Sequence, residues 1–171
     1  QQGGKGSKRV QLMGSGSILR EVIAAANILS EDFGIQADVW SCPSFNELKR
    51  DGDDCVRWNL MHPDQKPRIP HVTACLEKHS GPVVAATDYV KLFADQIRAY
   101  VGRNYHVLGT DGFGRSDTRA SLRRHFEVNR YYVTVAALKT LADEGTIPAK
   151  TVKSAIRKYK LDPEKPNPLN V

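Results

Sequence analysis

Four short apolar runs alternate with segments of helical periodicity, and this alternation constrains the fold of the chain more than any other feature. The runs are VQLMG, ADVWSC, GPVVAAT and YHVL, at residues 10–14, 37–42, 81–87 and 105–108. Short, nearly continuous apolar runs are typical of strands buried in a parallel sheet. Because a helical segment follows each run, we expect right-handed crossovers and a mostly parallel sheet with helices on both faces. The sequence therefore predicts an α/β domain.

The helical segments are predicted from apolar residues spaced three or four apart and from residue types that start and stop helices. DGDD, residues 51–54, is expected to be a turn that ends the second helix. The expected helices are Ile18–Ser30 with a stop at Gly34, a short helix capped by Ser44, Val72–Lys78, a helix through Val101 capped by Asp88, a basic helix ending near Phe126, a longer helix ending before Gly145, and a last helix with Pro148 in its first turn.

The chain has 171 residues, about the length of one domain. Residues 1–9 are rich in Gly, Lys and Ser and predict a flexible linker remnant, whereas residues 10–171 predict a single domain with helices appended at its C-terminal end. Since the chain begins with Gln1 rather than Met, we expect a fragment of a larger protein.

The composition limits the cellular compartment and the kinds of partner that we expect for this chain. Three cysteines, an odd number without a CxxC pair, favour reduced thiols and a cytoplasmic protein. No apolar run approaches the roughly 20 residues of a membrane span, so no membrane partner is expected. The net charge of +6 is diluted by 19 acidic residues, and zinc-finger spacing is absent, so no nucleic acid is expected either.

The stretch LGTDGFGRSD, residues 108–117, follows the fourth apolar run. We expect its glycines to permit backbone angles that other residues resist, Ser116 or Asp117 to start a helix, and Arg115 to pair with a neighbouring domain or subunit. The candidate residues for an interface or an anion-binding loop are Gly109, Asp111, Gly112, Gly114, Arg115, Ser116, Asp117 and Arg119.

Other glycine-rich and polar motifs do not support a catalytic site. In GSGSIL, residues 14–19, the third glycine of the dinucleotide fingerprint is replaced by Leu19, and no Walker A lysine follows. Neither a serine-hydrolase elbow nor a zinc-ligand spacing of histidines is present. The sequence thus offers no catalytic, cofactor-binding or metal-binding residue.

Taken together, the motifs resemble the C-terminal end of the bacterial homodimeric pyruvate dehydrogenases. VLGTDGFGRSD, LRRHFEV and YYVTVAALKTLADEG carry the resemblance, and QLMGSGSILREV, DVWSCPSFNELKRDGDDCVRWNLMHP and TDYVKLFADQIRAYV match in the same order. The resemblance covers nearly the whole chain beyond Val10. It implies a three-layer domain of the transketolase C-terminal type.

The resemblance also implies what the intact enzyme does. Such an enzyme is a homodimeric oxidoreductase that decarboxylates pyruvate with thiamine diphosphate and Mg, bound by two preceding domains, and reductively acetylates a lipoyl group of the dihydrolipoyl acyltransferase component. The implied partners are the thiamine-binding domains of the same chain, the second subunit and the acyltransferase. This segment lacks the Gly-Asp-Gly motif followed by a magnesium-binding Asn, so it is expected to be structural, to extend the dimer interface or to dock the acyltransferase, and to be inactive alone.

Two alternatives stay open on the sequence. The two glycine-rich turns, with Arg115, Arg119 and Arg123 nearby, favour an independent anion- or nucleotide-binding module. The basic last helices favour an interaction module that binds an acidic segment.

Overall fold

Four parallel strands form the centre of the molecule, as the alternating pattern predicts. The computed structural model describes residues 8–171, so residues 1–7 of the predicted linker lie outside the described residues. The strands are β1 (Arg9–Gly14), β2 (Gln36–Ser41), β3 (Val83–Ala86) and β4 (Tyr105–Leu108). They pair in the order β2-β1-β3-β4, so the sheet grows in both directions from the β1–β3 pair.

Eight α-helices connect and follow these strands within residues 8–171, and no helix of this part of the chain is long and apolar enough to cross a membrane. Gly34, in the left-handed conformation with φ of 62°, ends the first helix as expected. The helices are α1 (Leu19–Phe33), α2 (Phe45–Met61), α3 (His71–Leu76), α4 (Lys91–Asp95), α5 (Arg98–Val101), α6 (Arg119–His125), α7 (Arg130–Asp143) and α8 (Ala149–Lys158).

The two faces of the sheet are covered by different sets of helices. Alternate side chains of the strands point to opposite faces, so Leu12 and Val84 pack under α1, α7 and α8, whereas Met13 and Ala85 pack under α2, α3, α4 and α5. We call these the α7 face and the α2 face. Together they give the three-layer α/β arrangement that was expected.

The prediction that DGDD is a turn is wrong, because α2 continues through it to Met61. Ser44 begins the helix as predicted, with its hydroxyl accepting from the Glu47 amide at 3.2 Å. Gly52 is buried against the ring of Tyr100, and a Cβ atom there would lie 2.3 Å from Tyr100 Cε2. The glycine therefore marks close packing between α2 and α5 rather than a turn.

The prediction of one helix capped by Asp88 is also wrong. The segment forms two short helices, α4 and α5, and the residue that precedes α4 is Val90, with no side-chain cap. The Asp88 carboxylate instead accepts from the Ser17 hydroxyl at 3.2 Å. Asp88 therefore joins the loops that follow β1 and β3.

Candidate functional site

Three loops meet at the carboxyl edge of the sheet. The Thr110 hydroxyl, after β4, donates to the Asp88 carbonyl at 2.7 Å, and the Asp88 side chain contacts Ser17, after β1. β1 and β3 are neighbours although β2 lies between them in the chain, so the strand order reverses at this edge. Ligands of open α/β sheets bind preferentially at such a reversal.

An open cavity of about 580 Å³ lies between these loops and α6. Its volume is within the range of roughly 300–1,000 Å³ typical of small-molecule sites. We call it the edge cavity. Among the predicted residues, Gly112, Gly114, Arg115, Asp117 and Arg119 line it, whereas Gly109 and Asp111 do not. Ser116 lines an adjoining cavity of about 300 Å³ that shares Arg115 and Asp117 with the first.

The three glycines of the loop differ in what they permit. Gly112 has φ of 106°, and a Cβ atom there would lie 2.3 Å from the Pro168 carbonyl oxygen, so both its conformation and its surroundings require glycine. Gly109 has an ordinary φ but lies against the backbone of Tyr89 and Lys91. Gly114 has neither a positive φ nor a close neighbour. The expectation of unusual backbone angles is therefore right only for Gly112.

Thr118, rather than Ser116 or Asp117, caps α6. Its hydroxyl accepts from the Ser121 amide at 3.3 Å, and the Asp117 carboxylate accepts from the Thr118 amide at 2.5 Å. The predicted helix start was therefore early by one or two residues, since Asp, Ser and Thr are all suitable caps and occur in succession.

Asp111 fixes the start of α4. Its carboxylate accepts from the Lys91 amide at 2.8 Å and lies 3.8 Å from the Lys91 Nζ. This contact holds the loop after β4 against the loop after β3. Asp111 thereby shapes the edge without lining the cavity.

The arginines around the edge cavity fall into two groups. Arg115 and Arg119 are exposed, and neither has an acidic side chain within ion-pair distance in the described residues 8–171. Arg123, only 15% exposed, pairs with Glu21 at 3.0 Å and also donates to the backbone and hydroxyl oxygens of Ser17. Arg115 and Arg119 are therefore the arginines of the edge cavity whose guanidinium groups are not engaged in an ion pair within the described residues.

Glu21 is a buried carboxylate that the sequence analysis did not single out. Its side chain is 7% exposed and binds Arg123 and Arg130, while the Arg130 amide adds a hydrogen bond of 2.9 Å. Burial works to raise the pKa of Glu21, but the hydrogen bonds and charges of the two arginines hold it below the ordinary 4.5. The carboxylate is therefore ionised and joins α1 to α6 and α7.

A second, largely apolar cavity of about 390 Å³ lies beside α2 and α3 and is lined by Cys42, Cys75 and His71. The Cys75 sulfur lies 3.4 Å from His71 Nε2. Burial raises the pKa of Cys42 to about 11, so its thiol is protonated and a poor nucleophile at neutral pH. All three cysteines are free.

The described residues do not fit a thiamine diphosphate and magnesium site. Within residues 8–171, no three His, Cys, Asp or Glu side chains are placed to hold a metal ion together. Glu21, the buried glutamate, accepts hydrogen bonds from two arginines on both of its oxygens, so it has no free oxygen for a cofactor ring. No chemical step through that cofactor is therefore assigned to these residues.

Comparison with known proteins gives one consistent family. The model of the family described as the transketolase-like TK C-terminal domain matches residues 1–129. The relatives named pyruvate dehydrogenase E1 component include those of Cupriavidus necator, 61% identical over 163 residues, and Pseudomonas aeruginosa, 60% identical over 162 residues. The Escherichia coli relative is 55% identical over 166 residues.

These matches cover most of this chain but a small part of each relative. The aligned residues are 95%, 94% and 96% of this chain in the three comparisons, and 18% of each relative. The chain thus spans about a fifth of the length of these relatives. Helices α7 and α8 lie beyond the family match, although the alignments with the relatives extend over nearly the whole chain.

Proposed function

We propose that this chain, which belongs to the transketolase-like TK C-terminal domain family, is the structural and docking domain of a pyruvate dehydrogenase E1 component. The intact enzyme would decarboxylate pyruvate with thiamine diphosphate and magnesium bound by other domains, and reductively acetylate the lipoyl group of the dihydrolipoyl acyltransferase. This domain would support the thiamine-binding domains and extend the interface with a second subunit. Alone it would be inactive.

An exposed apolar surface beside the edge cavity carries this proposal. Leu92 is 73% exposed, and its chain neighbours Tyr89, Val90 and Phe93 have exposures between 42% and 66%. We call these four residues the edge surface. Large aromatic and aliphatic side chains grouped on a surface are typical of protein interfaces. The other four-fifths of an E1 chain would supply the polypeptide that covers them.

A chimera tests the proposal directly. This chain replaces the matching segment of the Cupriavidus necator relative, and pyruvate-dependent activity and subunit assembly are measured. We expect the chimera to assemble and to be active, and this chain alone to give no heat with thiamine diphosphate in calorimetry. A folded chimera without activity, or saturable cofactor binding by the chain alone, would contradict the proposal.

A matched pair of variants tests the edge surface within that chimera. Leu92→Lys places a charge in the edge surface, whereas Leu60→Lys places the same charge on α2 at a leucine that is 75% exposed. We expect the Leu92 variant to impair assembly and activity at least tenfold, because a desolvated lysine at an interface is unfavourable. The Leu60 variant should behave like the parent chimera. Equal losses would show that the edge surface has no special role.

The basic surface of α8 favours a docking role for the acyltransferase. Lys150, Lys153 and Arg157 are exposed on this helix, and none of them makes an ion pair within the described residues. An acidic segment of the acyltransferase's subunit-binding region would complement them. Retention of this chain by that region should fall steeply as salt is raised. Salt-independent retention, or none at low salt, would rule out α8 as the docking surface.

A further inference from the structure

We propose that the edge cavity binds a small organic phosphate of about the size of a nucleoside monophosphate. The phosphate group contacts Arg115 and Arg119, and the flat apolar part of the ligand packs against Phe113 and Phe126. This binding site goes beyond the structural role of the domain and does not depend on it.

The charges in the cavity place the phosphate near the start of α6. Arg115 and Arg119 both line the cavity and have no ion-pair partner within residues 8–171. A guanidinium group donates two parallel hydrogen bonds to phosphate oxygens, so two arginines without ion-pair partners in one cavity suit a phosphate better than a single charge does. Arg123 is excluded from this role because its guanidinium group already donates to Glu21 and to Ser17.

Two carboxylates line the same cavity and limit where a phosphate can lie. Asp117 accepts from the Thr118 amide, and Asp88 belongs to the loop after β3, where Ser17 donates to it and Gly16 is its close neighbour. Repulsion from Asp88 directs an anion away from the β1 loop and toward Arg115 and Arg119. The apolar part of the ligand then occupies the space between.

Apolar side chains provide the surface for that part. Ile18 and Val128 line the cavity together with Leu122 and Phe126, and Phe113 lines it with 76% of its surface exposed. A planar group packed against Phe113 would bury aromatic surface that is otherwise in water. The combination of a cationic wall and aromatic side chains selects an aromatic phosphate over a small inorganic anion.

The adjoining cavity supplies an independent indication of a missing hydrogen-bond partner. His125 lines it with Arg115, and its Nε2 is the buried side-chain nitrogen that lacks a partner in the described part of the chain. Burial lowers the pKa of His125, and the charges of Arg115 and Lys165 lower it further, so the ring is neutral at pH 7. Buried polar atoms without a partner are uncommon in proteins. An oxygen atom held by Arg115 beside this ring would provide one.

Titration with three probes tests the proposal, with binding followed by calorimetry and by amide shifts in NMR spectra. Adenosine 5′-monophosphate carries both parts of the proposed ligand, adenosine lacks the phosphate, and inorganic phosphate lacks the ring. We expect the nucleotide to bind with a dissociation constant on the order of 0.1–1 mM, with amide shifts at Ser17, Thr110 and Phe126, and each of the other probes to bind about tenfold more weakly. Equal binding of nucleotide and adenosine, or no saturable binding of nucleotide, would overturn the proposal.

Variants locate the site and exclude a general effect of charge. The double variant R115A/R119A should weaken nucleotide binding at least tenfold, whereas R57A, which removes an exposed arginine of α2, should leave it unchanged. Phe113→Ala should weaken binding of the nucleotide about threefold without changing that of phosphate. If R57A weakens binding as much as the double variant, or if phosphate binding depends equally on Phe113, the site is not the one proposed. Thermal unfolding of each variant verifies that it is folded.

Discussion

The two faces of the sheet are held by different kinds of contact. On the α7 face, three helices of 10 to 15 residues cover a large apolar core, in which Leu138 and Leu141 of α7 are buried. The buried polar side chains of these helices are Glu21, Thr134 and Thr140. On the α2 face, one long helix and three helices of four to six residues share the surface. Gln11, at the centre of β1, is buried on this face, and its side-chain amide donates to the Asp38 carboxylate and to the Ser80 carbonyl oxygen.

The helices of the α7 face are therefore held mainly by burial of apolar surface, whereas those of the α2 face are held more by specific hydrogen bonds. Short helices bury little apolar surface, and on the α2 face arginines complete the packing. Arg103 donates to the carbonyl oxygens of Leu76 and His79, and Arg98 donates to that of Tyr105. Because each contact depends on one geometry, the packing of the short helices on the α2 face should depend on single polar residues. The α7 face should depend mainly on buried volume, and in addition on the one charge cluster around Glu21.

The largest expected effect compares one leucine on each face. Leu138→Ala, on the α7 face, should lower the free energy of unfolding by about 4 kcal/mol, because long helices cannot collapse into the cavity. Leu76→Ala, on α3, should cost about 2.5 kcal/mol, because a six-residue helix can shift. Urea unfolding measures both, with exposed Leu60→Ala as the control. Equal losses would show that the two faces respond alike to lost volume.

The next effect concerns the charge cluster at the start of α1 and α7. Glu21→Gln keeps the size of the side chain but leaves Arg123 without its acidic partner, and should cost about 3 kcal/mol. Glu31→Gln, on the exposed side of the same helix, should change the free energy by less than about 0.5 kcal/mol. If the two variants are indistinguishable in urea unfolding, the buried pair contributes nothing and the α7 side of the molecule is held by apolar contacts alone.

A smaller effect tests the close packing of α2 on α5. Gly52→Ala would stabilise an exposed helix, but here the added methyl meets the Tyr100 ring, so we expect a loss of about 2 kcal/mol. The double variant Gly52→Ala/Tyr100→Leu should be more stable than the sum of the two single changes predicts. If Gly52→Ala instead raises the free energy of unfolding, α5 can move away from the added methyl group, and the α2 face is not closely packed at this point.

The same comparison explains what the sequence could predict. The strand positions and the long helices α1 and α7 follow from the apolar patterns, which report the burial of an element, whereas the order of the strands in the sheet required the structure. Gly52 and Asp53 suggest a turn by composition, yet tertiary contacts with Tyr100 keep them helical. Contacts between residues far apart in the chain, such as that of Arg123 with Glu21, produce no local pattern in the sequence and could not be predicted from it. Loop glycines and arginines marked the edge cavity, whereas its apolar lining and the buried Glu21 that pairs with Arg123 required the structure.

The smallest effect is a dependence on pH that originates on the α2 face. The Asp38 carboxylate, 26% exposed, binds Arg9 at 2.6 Å and Gln11 at 2.8 Å. Burial works to raise its pKa, but hydrogen bonds from Gln11, Arg9 and His79 outweigh burial and hold the pKa below the ordinary 3.8. A carboxyl group whose pKa is lower in the folded state stabilises the fold above its unfolded pKa, and this contribution is lost as the pH falls through the folded value.

Asp38→Asn should therefore lower the free energy of unfolding by about 1 kcal/mol at pH 7 and by progressively less below pH 4. The free energy of unfolding of the variant and of the parent protein is measured by urea unfolding between pH 7 and the lowest pH at which the protein folds. Glu21 also loses its contribution as the pH falls, but it does so in both proteins, so the difference between the two free energies reports Asp38 alone. Asn in place of exposed Asp54, which makes no ion pair in residues 8–171, is the matched control. If this difference stays constant as the pH falls, the free energy that the variant loses comes from packing on β2 rather than from the charge of Asp38. The polar contacts around Asp38 on the α2 face would then act as neutral hydrogen bonds.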